Sequence, residues 1–170
     1  MRFGGIDPGI SGAIAFLDPA APQGLEVVDM PTLTLAAGKR AVDVHALAAL
    51  LGSPVDHVFL ERAQAMPKQG TTSMFNYGRS FGLIEGILAA RGIPYTLVSP
   101  VSWKRALQVP AAKDGAKARA SQLLPASARL WSRRSKDHGK AEAALLALYG
   151  ARQLSGETGS LTVSPLRVVA

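Results

Sequence analysis

Two short apolar segments, separated by a tight turn that contains an acidic residue, open the chain. The first segment leads into Asp7, Pro8 and Gly9 follow, and residues 13–17 form the second segment. This pattern predicts a β-hairpin with one carboxylate at the end of a buried strand. A lone carboxylate is costly to bury unless a partner compensates its charge. We therefore expect Asp7 either to bind a metal ion or to hydrogen-bond the backbone of its own turn.

Size, composition and charge narrow the class of protein. The chain has 170 residues, is 48% hydrophobic and contains no cysteine, which suits one domain with a sizeable core and excludes disulfides and thiolate metal sites. No apolar stretch reaches the roughly 18 residues of a membrane span, and no signal peptide precedes the first strand, so we expect a cytoplasmic protein with no membrane partner. The net charge of +7 favours a polyanionic partner, above all nucleic acid.

Strand-like and helix-like segments alternate along the chain. The predicted strands are residues 2–6, 13–17, 25–29, 57–61 and 95–98, and the predicted helices are residues 41–51, 72–91, 101–107, 113–124 and 137–152. Residues 30–40 and 125–135 are predicted as loops. An antiparallel meander followed by strand–helix alternation predicts an α/β fold, a mixed five-stranded sheet with helices on its faces. We expect one domain over residues 1–152 and a tail over residues 153–170, rich in Gly, Ser and Thr.

Acidic residues stand at three chemically suggestive places. Asp7 and Glu61 each end an apolar strand, and Glu142 lies near the start of an apolar helix. His138 precedes Glu142 by four residues and shares its helix face, while Asp137 is a natural N-cap. If the first and fourth strands are neighbours, Asp7 and Glu61 meet at one end of the sheet.

A cluster of carboxylates is stable only when cations neutralise its mutual repulsion, and oxygen ligands suit Mg²⁺ or Mn²⁺. Two such ions about 3.5–4 Å apart clamp the attacking and leaving oxygens of a phosphodiester displacement. Each acid also has an ordinary alternative role: a turn residue, a strand-end acid beside Arg62, a helix cap, or an acid that complements a helix dipole. The combination favours a site, because all of these alternatives would have to hold independently.

The residues in these motifs resemble the RuvC-like Holliday junction resolvases of the RNase H-like nuclease superfamily. The resemblance spans residues 1–152 and is carried by Gly5-Ile6-Asp7-Pro8-Gly9-Ile10-Ser11-Gly12, Leu60-Glu61, Asn76-Tyr77-Gly78-Arg79-Ser80-Phe81-Gly82 and Asp137-His138-Gly139-Lys140-Ala141-Glu142-Ala143. The last motif is most similar to the bacteriophage and organelle-type branch. The resemblance implies an RNase H-like fold and a homodimer that nicks opposed strands of a four-way DNA junction. It also implies the cytoplasm of a bacterial host cell, with host and phage origin both open.

The same resemblance implies roles for individual residues. Asp7, Glu61 and Glu142 would be catalytic metal ligands, with two Mg²⁺ or Mn²⁺ ions in each active site. The fourth ligand is open between His138 and Asp137, because the better-known family pattern places an acid at the position that is glycine 139 here. Lys104 and Lys117 lie where the family has functional lysines, and one of them would stabilise charge at the scissile phosphate.

Basic residues cluster between the predicted helix at residues 101–107 and the final helix, which predicts a surface that follows DNA phosphates. Met66 lies in the loop where the family carries a residue that wedges into the junction. Trp103 is a further candidate for base contact, and Trp131 is expected either to stack on a base or to anchor its loop to the core. The expected DNA contacts are Met66, Lys68, Lys104, Lys113, Lys117, Arg133, Arg134 and Lys140.

The helix at residues 72–91 and the substrate of the protein each allow more than one interpretation. The resemblance makes the helix at residues 72–91 a dimer helix, in which Gly78 and Gly82 either admit a partner helix or pack against the sheet. The alternatives to a resolvase are an RNase H-like nuclease acting on other branched DNA or RNA–DNA hybrids, and a catalytically inactive junction-binding module. An actin-like phosphotransferase would need two such domains, for which 170 residues are too few.

Overall fold

The computed structural model describes residues 1–62, 70–134 and 137–156, which form a layered α/β structure. The helices in these ranges are α1 (Val44–Leu50), α2 (Thr71–Ala90), α3 (Pro100–Ala106), α4 (Gly115–Leu123), α5 (Arg129–Ser132) and α6 (His138–Leu154). The strands are β1 (Phe3–Asp7), β2 (Ala13–Leu17), β3 (Glu26–Asp29), β4 (Thr32–Thr34), β5 (Arg40–Val42), β6 (His57–Glu61) and β7 (Tyr95–Val98).

The central sheet is mixed and has the strand order β3-β2-β1-β6-β7. Antiparallel pairing joins β3, β2 and β1, whereas β1, β6 and β7 run parallel. Ile6 pairs with Leu60, so Asp7 and Glu61 are the next residues of two adjacent parallel strands. The predicted five-stranded mixed sheet is confirmed, and its topology brings the two strand-end acids to the same edge.

Hydrophobic clusters cover both faces of the sheet. Alternate residues of β2 point to opposite sides: Leu17 packs in one cluster with α3, α4 and α6, and Ile14 packs in the other with α1 and α2. This period of two is the one that the sequence pattern predicts for a strand buried on both faces. The sheet is therefore a fixed platform from which strand-end side chains project.

Helix α6 packs directly on β1 because small residues remove the space between them. A Cβ on Gly5 would overlap the backbone of Ala143 and Ala147, and one on Gly150 would overlap the ring of Phe59. Both glycines thus permit an approach of helix to sheet that no larger residue allows. This close packing fixes the position of Glu142 relative to the end of β1.

Several element boundaries differ from the sequence prediction. Residues 30–40 contain β4 and, after a turn, the start of β5, instead of a loop. Arg40 donates to Thr32 Oγ1 (3.0 Å) within this small hairpin and to the Ile10 carbonyl (3.3 Å), and the second bond is a long-range contact that no local pattern reveals. The first helix begins at Val44 instead of residue 41, because the Asp43 carboxylate caps it by accepting from the Ala46 N–H at 3.0 Å.

The C-terminal third also contains more helix than predicted. Residues 125–135 were predicted as a basic loop, but α5 lies within them and buries Trp131 completely. The Trp131 indole N–H donates to Ser121 Oγ at 3.0 Å, so this side chain anchors the segment to α4 and is not placed to stack on a base. Helix α6 continues to Leu154, and residues 157–170 of the tail lie outside the described residues. No described helix is long and apolar enough to cross a membrane.

We predict that Gly5→Ala destabilises the protein by about 1–3 kcal/mol or more, because the added methyl group must displace the α6 backbone. Gly24→Ala is the matched control, since Gly24 is exposed, its backbone φ is not positive and an added Cβ meets open space, so its stability should stay within about 0.5 kcal/mol of wild type. Chemical denaturation of both variants measures the difference. Equal stabilities would contradict the packing described for β1 and α6.

Candidate active site

Three acidic residues from three elements converge at one edge of the sheet. Asp7 ends β1, Glu61 ends β6, and Glu142 lies one turn inside α6. Their proximity appears as mutual repulsion, because the charge of Glu142 raises the pKa values of both Asp7 and Glu61. The structure therefore brings together the three acids that the sequence singled out, although Glu142 lies after the first helical turn and not within it.

Asp7 is the most perturbed of the three. Burial, followed by the charges of Glu142 and Glu61, raises the pKa of its carboxyl group from 3.8 to about 7. The Gly9 N–H donates to its Oδ1 at 3.4 Å and opposes this rise. The hydrogen bond from the turn therefore compensates only part of the cost of burying the Asp7 carboxylate.

Glu61 has a dedicated hydrogen-bond donor. Burial raises the pKa of its carboxyl group, while the indole N–H of Trp103 donates to Oε2 at 2.8 Å and opposes that rise. Trp103 is completely buried on α3, so it holds this carboxylate in place and is not available as a base-stacking residue. Its role depends on how α3 docks against β6, and nothing in the local sequence indicates it.

Lys104, the next residue on α3, supplies a positive charge to the acids. Its Nζ lies 2.7 Å from Glu142 Oε1. Burial opposes the charged form of the amine, but the hydrogen bond to Glu142 and the charges of Glu142, Glu61 and Asp7 outweigh it and raise its pKa. Of the two predicted lysines, Lys104 therefore contacts the acid cluster, which we define as Asp7, Glu61 and Glu142.

Tyr77 on α2 borders the acid cluster from the opposite face of the sheet. Burial, with the charges of Asp7, Glu61 and Glu142, raises the pKa of its hydroxyl group to about 12. It therefore keeps its proton throughout the physiological range. Tyr77 belongs to the motif that carried the family resemblance, but it was not among the predicted site residues.

The two candidates for a fourth ligand have other partners. His138 Nε2 lies 3.6 Å from Asp114 Oδ1. The buried Asp137 accepts from the backbone N–H and the Nε of Arg134, both at 3.0 Å. Although burial opposes its charge, these bonds and Lys140 hold the pKa of Asp137 below its usual value. Asp137 occupies the N-cap position of α6 without a capping hydrogen bond from its side chain. Ligand roles for both residues remain predictions.

Gly139, which lies between these candidates and Glu142, touches the acid cluster directly. A Cβ at this position would lie 3.0 Å from Asp7 Oδ2, 2.7 Å from the Ser11 carbonyl oxygen and 2.8 Å from the Gly12 Cα. The start of α6 therefore rests on the turn between β1 and β2. Among residues 1–62, 70–134 and 137–156, no three His, Asp or Glu side chains form a ready-made metal site.

The predicted DNA contacts fall into several environments. Lys113 and Arg133 are exposed, whereas Lys117 donates to the Arg134 carbonyl at 2.7 Å. Arg134 and Lys140 both form ion pairs with Asp29 and Asp137. Met66 and Lys68 lie outside the described residues. An open cleft beside the start of α6 is lined by Arg129, Leu130, Arg133, Arg134, Asp137 and Lys140.

The fold has counterparts among solved structures. Thermus thermophilus RuvC in complex with a Holliday junction substrate is 21% identical, with a TM-score of 0.59 over 90% of this chain and 96% of that chain. The chain has the RuvC-like resolvase fold. A second structure of Thermus thermophilus RuvC is 19% identical, with a TM-score of 0.58 over 90% of this chain and 96% of that one.

A viral protein shares the RuvC-like resolvase fold. The fowlpox virus Holliday junction resolvase is 17% identical, with a TM-score of 0.51 over 91% of this chain and 99% of that chain. No protein-family model matches the sequence, and no curated protein matches it. The predicted RNase H-like architecture is thus confirmed by structural likeness, while the particular branch of resolvases stays a prediction.

We predict that Asp7→Asn stabilises the metal-free protein at pH 8. The folded protein holds the Asp7 proton up to about pH 7, whereas the unfolded chain releases it near 3.8, so this group lowers stability as pH rises between those values. The difference corresponds to about 4 kcal/mol at most. Thermal unfolding in EDTA should show a Tm several degrees above wild type at pH 8 and little difference at pH 4. Equal Tm values at pH 8 would contradict the burial of a charged Asp7.

Proposed function

We propose that the protein is a divalent-metal-dependent DNA endonuclease that resolves four-way junctions by paired, symmetric nicks. The observation that carries the proposal is the convergence of Asp7, Glu61 and Glu142 at one edge of a RuvC-like resolvase fold. Structures of this fold include a RuvC protein bound to a Holliday junction substrate and a poxvirus Holliday junction resolvase. Fold alone does not define chemistry, so the acid cluster supplies the argument for hydrolysis.

The acid cluster fits a hard divalent cation by its donor chemistry. Carboxylate oxygens from Asp7, Glu61 and Glu142 are ligands that Mg²⁺ and Mn²⁺ prefer. Their mutual repulsion and the raised pKa of Asp7 are both relieved when a cation neutralises them. Bound there, such an ion activates water and stabilises negative charge on the phosphate.

The residues around the acids prepare the site. The Trp103 indole N–H donates to Oε2 of Glu61 and so restricts the rotation of the carboxylate, and we assign the other oxygen, Oε1, to a bound cation. Lys104 places an ammonium group beside Glu142, where it can stabilise charge that develops on a phosphate oxygen. Both side chains come from α3, so this short helix positions two of the three acids.

The basic surface leads to the acids. Arg134 and Lys140 both pair with Asp29, and Asp29 lies opposite Ala13, which in turn lies opposite Asp7 in the sheet. With a net charge of +7, this surface is suited to the phosphates of DNA. Arg134 and Lys140 also pair with Asp29 and Asp137, so we propose that phosphates replace the exposed Asp29 as their partner.

We also propose a homodimer through α2. A Cβ on Gly78 or Gly82 would meet open space, so these glycines do not pack against the sheet in the described structure. Phe75, on the same helix, is 70% exposed. An isologous dimer would present two active sites related by a two-fold axis, which matches the pseudo-two-fold symmetry of a four-way junction.

Cleavage of an end-labelled four-way junction tests the activity. With Mg²⁺, and separately with Mn²⁺, the wild type should produce paired nicks on opposed strands. Asp7→Asn should lower the cleavage rate by about 10³-fold or more, because the metal loses a charged ligand, while junction binding measured by gel shift persists. Asp18→Asn removes an acid at the far end of β2 and serves as the matched control.

Other outcomes distinguish the alternatives. Tight junction binding without cleavage in either metal would indicate an inactive binding module. Equal cleavage of an RNA–DNA hybrid, a duplex or a flap would keep the nuclease and reject junction selectivity.

The dimer proposal predicts that Phe75→Asp converts the protein to a monomer, because a charge replaces an exposed aromatic side chain at the proposed interface. Sedimentation equilibrium measures the change. Asp should be tolerated in the monomer, so circular dichroism should match wild type. A monomeric wild type at micromolar concentration would contradict the proposal.

A further inference from the structure

The ammonium group of Lys104 places a positive charge of the protein itself within the acid cluster. Its Nζ lies 2.7 Å from Glu142 Oε1, and its charge also acts on Asp7 and Glu61. The Lys104 side chain is 39% exposed and that of Glu142 is 21% exposed, so this ion pair is only partly screened by water. One oxygen of Glu142 is therefore already engaged.

The local packing leaves no room for a fourth acid at the glycine of α6. A side chain at position 139 would meet backbone atoms of Ser11 and Gly12 at 2.7 and 2.8 Å, and backbone cannot move aside as a flexible side chain can. An acid at this position would require α6 to shift away from the turn. The close docking of α6 thus limits the cluster to three carboxylates.

In the described structure the neighbouring candidates, Asp137 and His138, both have other partners. Asp137 is buried and bound by Arg134, and His138 lies against Asp114. Three carboxylates and the Lys104 ammonium leave two negative charges, which a single divalent ion neutralises. A second divalent ion would leave the cluster with an excess of two positive charges, whereas without the Lys104 ammonium the excess would be only one.

We infer that Lys104 takes the place of a second metal ion, so that each chain binds one divalent cation in the acid cluster. This inference rests on the proposed function and refines its cofactor, since the resemblance to the resolvase family implies two ions. The position of Lys104 is set by α3, whose buried Trp103 holds Glu61 while Lys104 holds Glu142. The positive charge of Lys104 is therefore held beside the acids by the packing of α3.

Mn²⁺ binding to the full chain without DNA tests this inference. Electron paramagnetic resonance of free Mn²⁺ at pH 8 counts bound ions independently of activity. Wild type should bind one ion per chain, and Lys104→Met should bind two, because Glu142 then becomes available and the repelling charge is gone. The first ion should also bind at least about tenfold more tightly in Lys104→Met.

Two variants serve as controls. Lys104→Arg keeps the positive charge and should still bind one ion, whereas Arg105→Met removes a charge from an exposed neighbour on α3 and should leave the stoichiometry unchanged. Circular dichroism confirms that each variant is folded.

Two ions in wild type, or one ion in Lys104→Met, would overturn the inference. A wild type that binds two ions yet cleaves junctions would reject only the role of Lys104. Failure to bind Mn²⁺, together with failure to cleave, would reject the proposed function itself.

Discussion

The repulsion among three carboxylates at the end of a buried strand is the constraint on which the rest of the structure depends. At the end of β1, partial burial of Asp7 raises the pKa of its carboxyl group, and the charges of Glu142 and Glu61 add to this rise and bring it to about 7. Such an arrangement lowers stability unless charge is supplied to it. The protein supplies part of that charge from Lys104 and part of the hydrogen bonding from Trp103 and Gly9. The remaining deficit is the physical argument for a bound cation.

Small residues make the cluster geometrically attainable. Gly5 and Gly150 let α6 lie against the sheet, and Gly139 lets its first turn rest on the loop after Asp7. These contacts bring Glu142 to the acids of β1 and β6. The close contact between α6 and the turn after Asp7 also excludes a side chain at position 139. The packing of α6 therefore determines both which acids meet and how many of them there are.

The sequence predicted those parts of the fold that depend on local periodicity. Alternation along β1, β2 and β6 identified the sheet, and acids placed after these strands led to Asp7 and Glu61. Glu142 was found because it interrupts an apolar helix. The hairpin of β4 and β5, in contrast, depends on Arg40 reaching Ile10, thirty residues away in the chain, and was missed.

Contacts that form only when helices pack against the sheet also could not be predicted from the sequence. The sequence suggests base contact for Trp103, but its indole N–H donates to Glu61, and nothing in the sequence indicates that Tyr77 borders the site. Asp137 was correctly placed at the start of the last helix, yet its carboxylate turns to Arg134 and Lys140 instead of capping the helix. The partners of these side chains depend on which charged and polar groups the tertiary structure brings close to them.

The most direct measurement is anomalous diffraction from crystals of the protein grown or soaked with Mn²⁺. We expect an anomalous peak coordinated by carboxylate oxygens of Asp7 and Glu61, within reach of Glu142. Saturating Mn²⁺ with no peak in the acid cluster, or peaks only at surface acids such as Asp29, would contradict it.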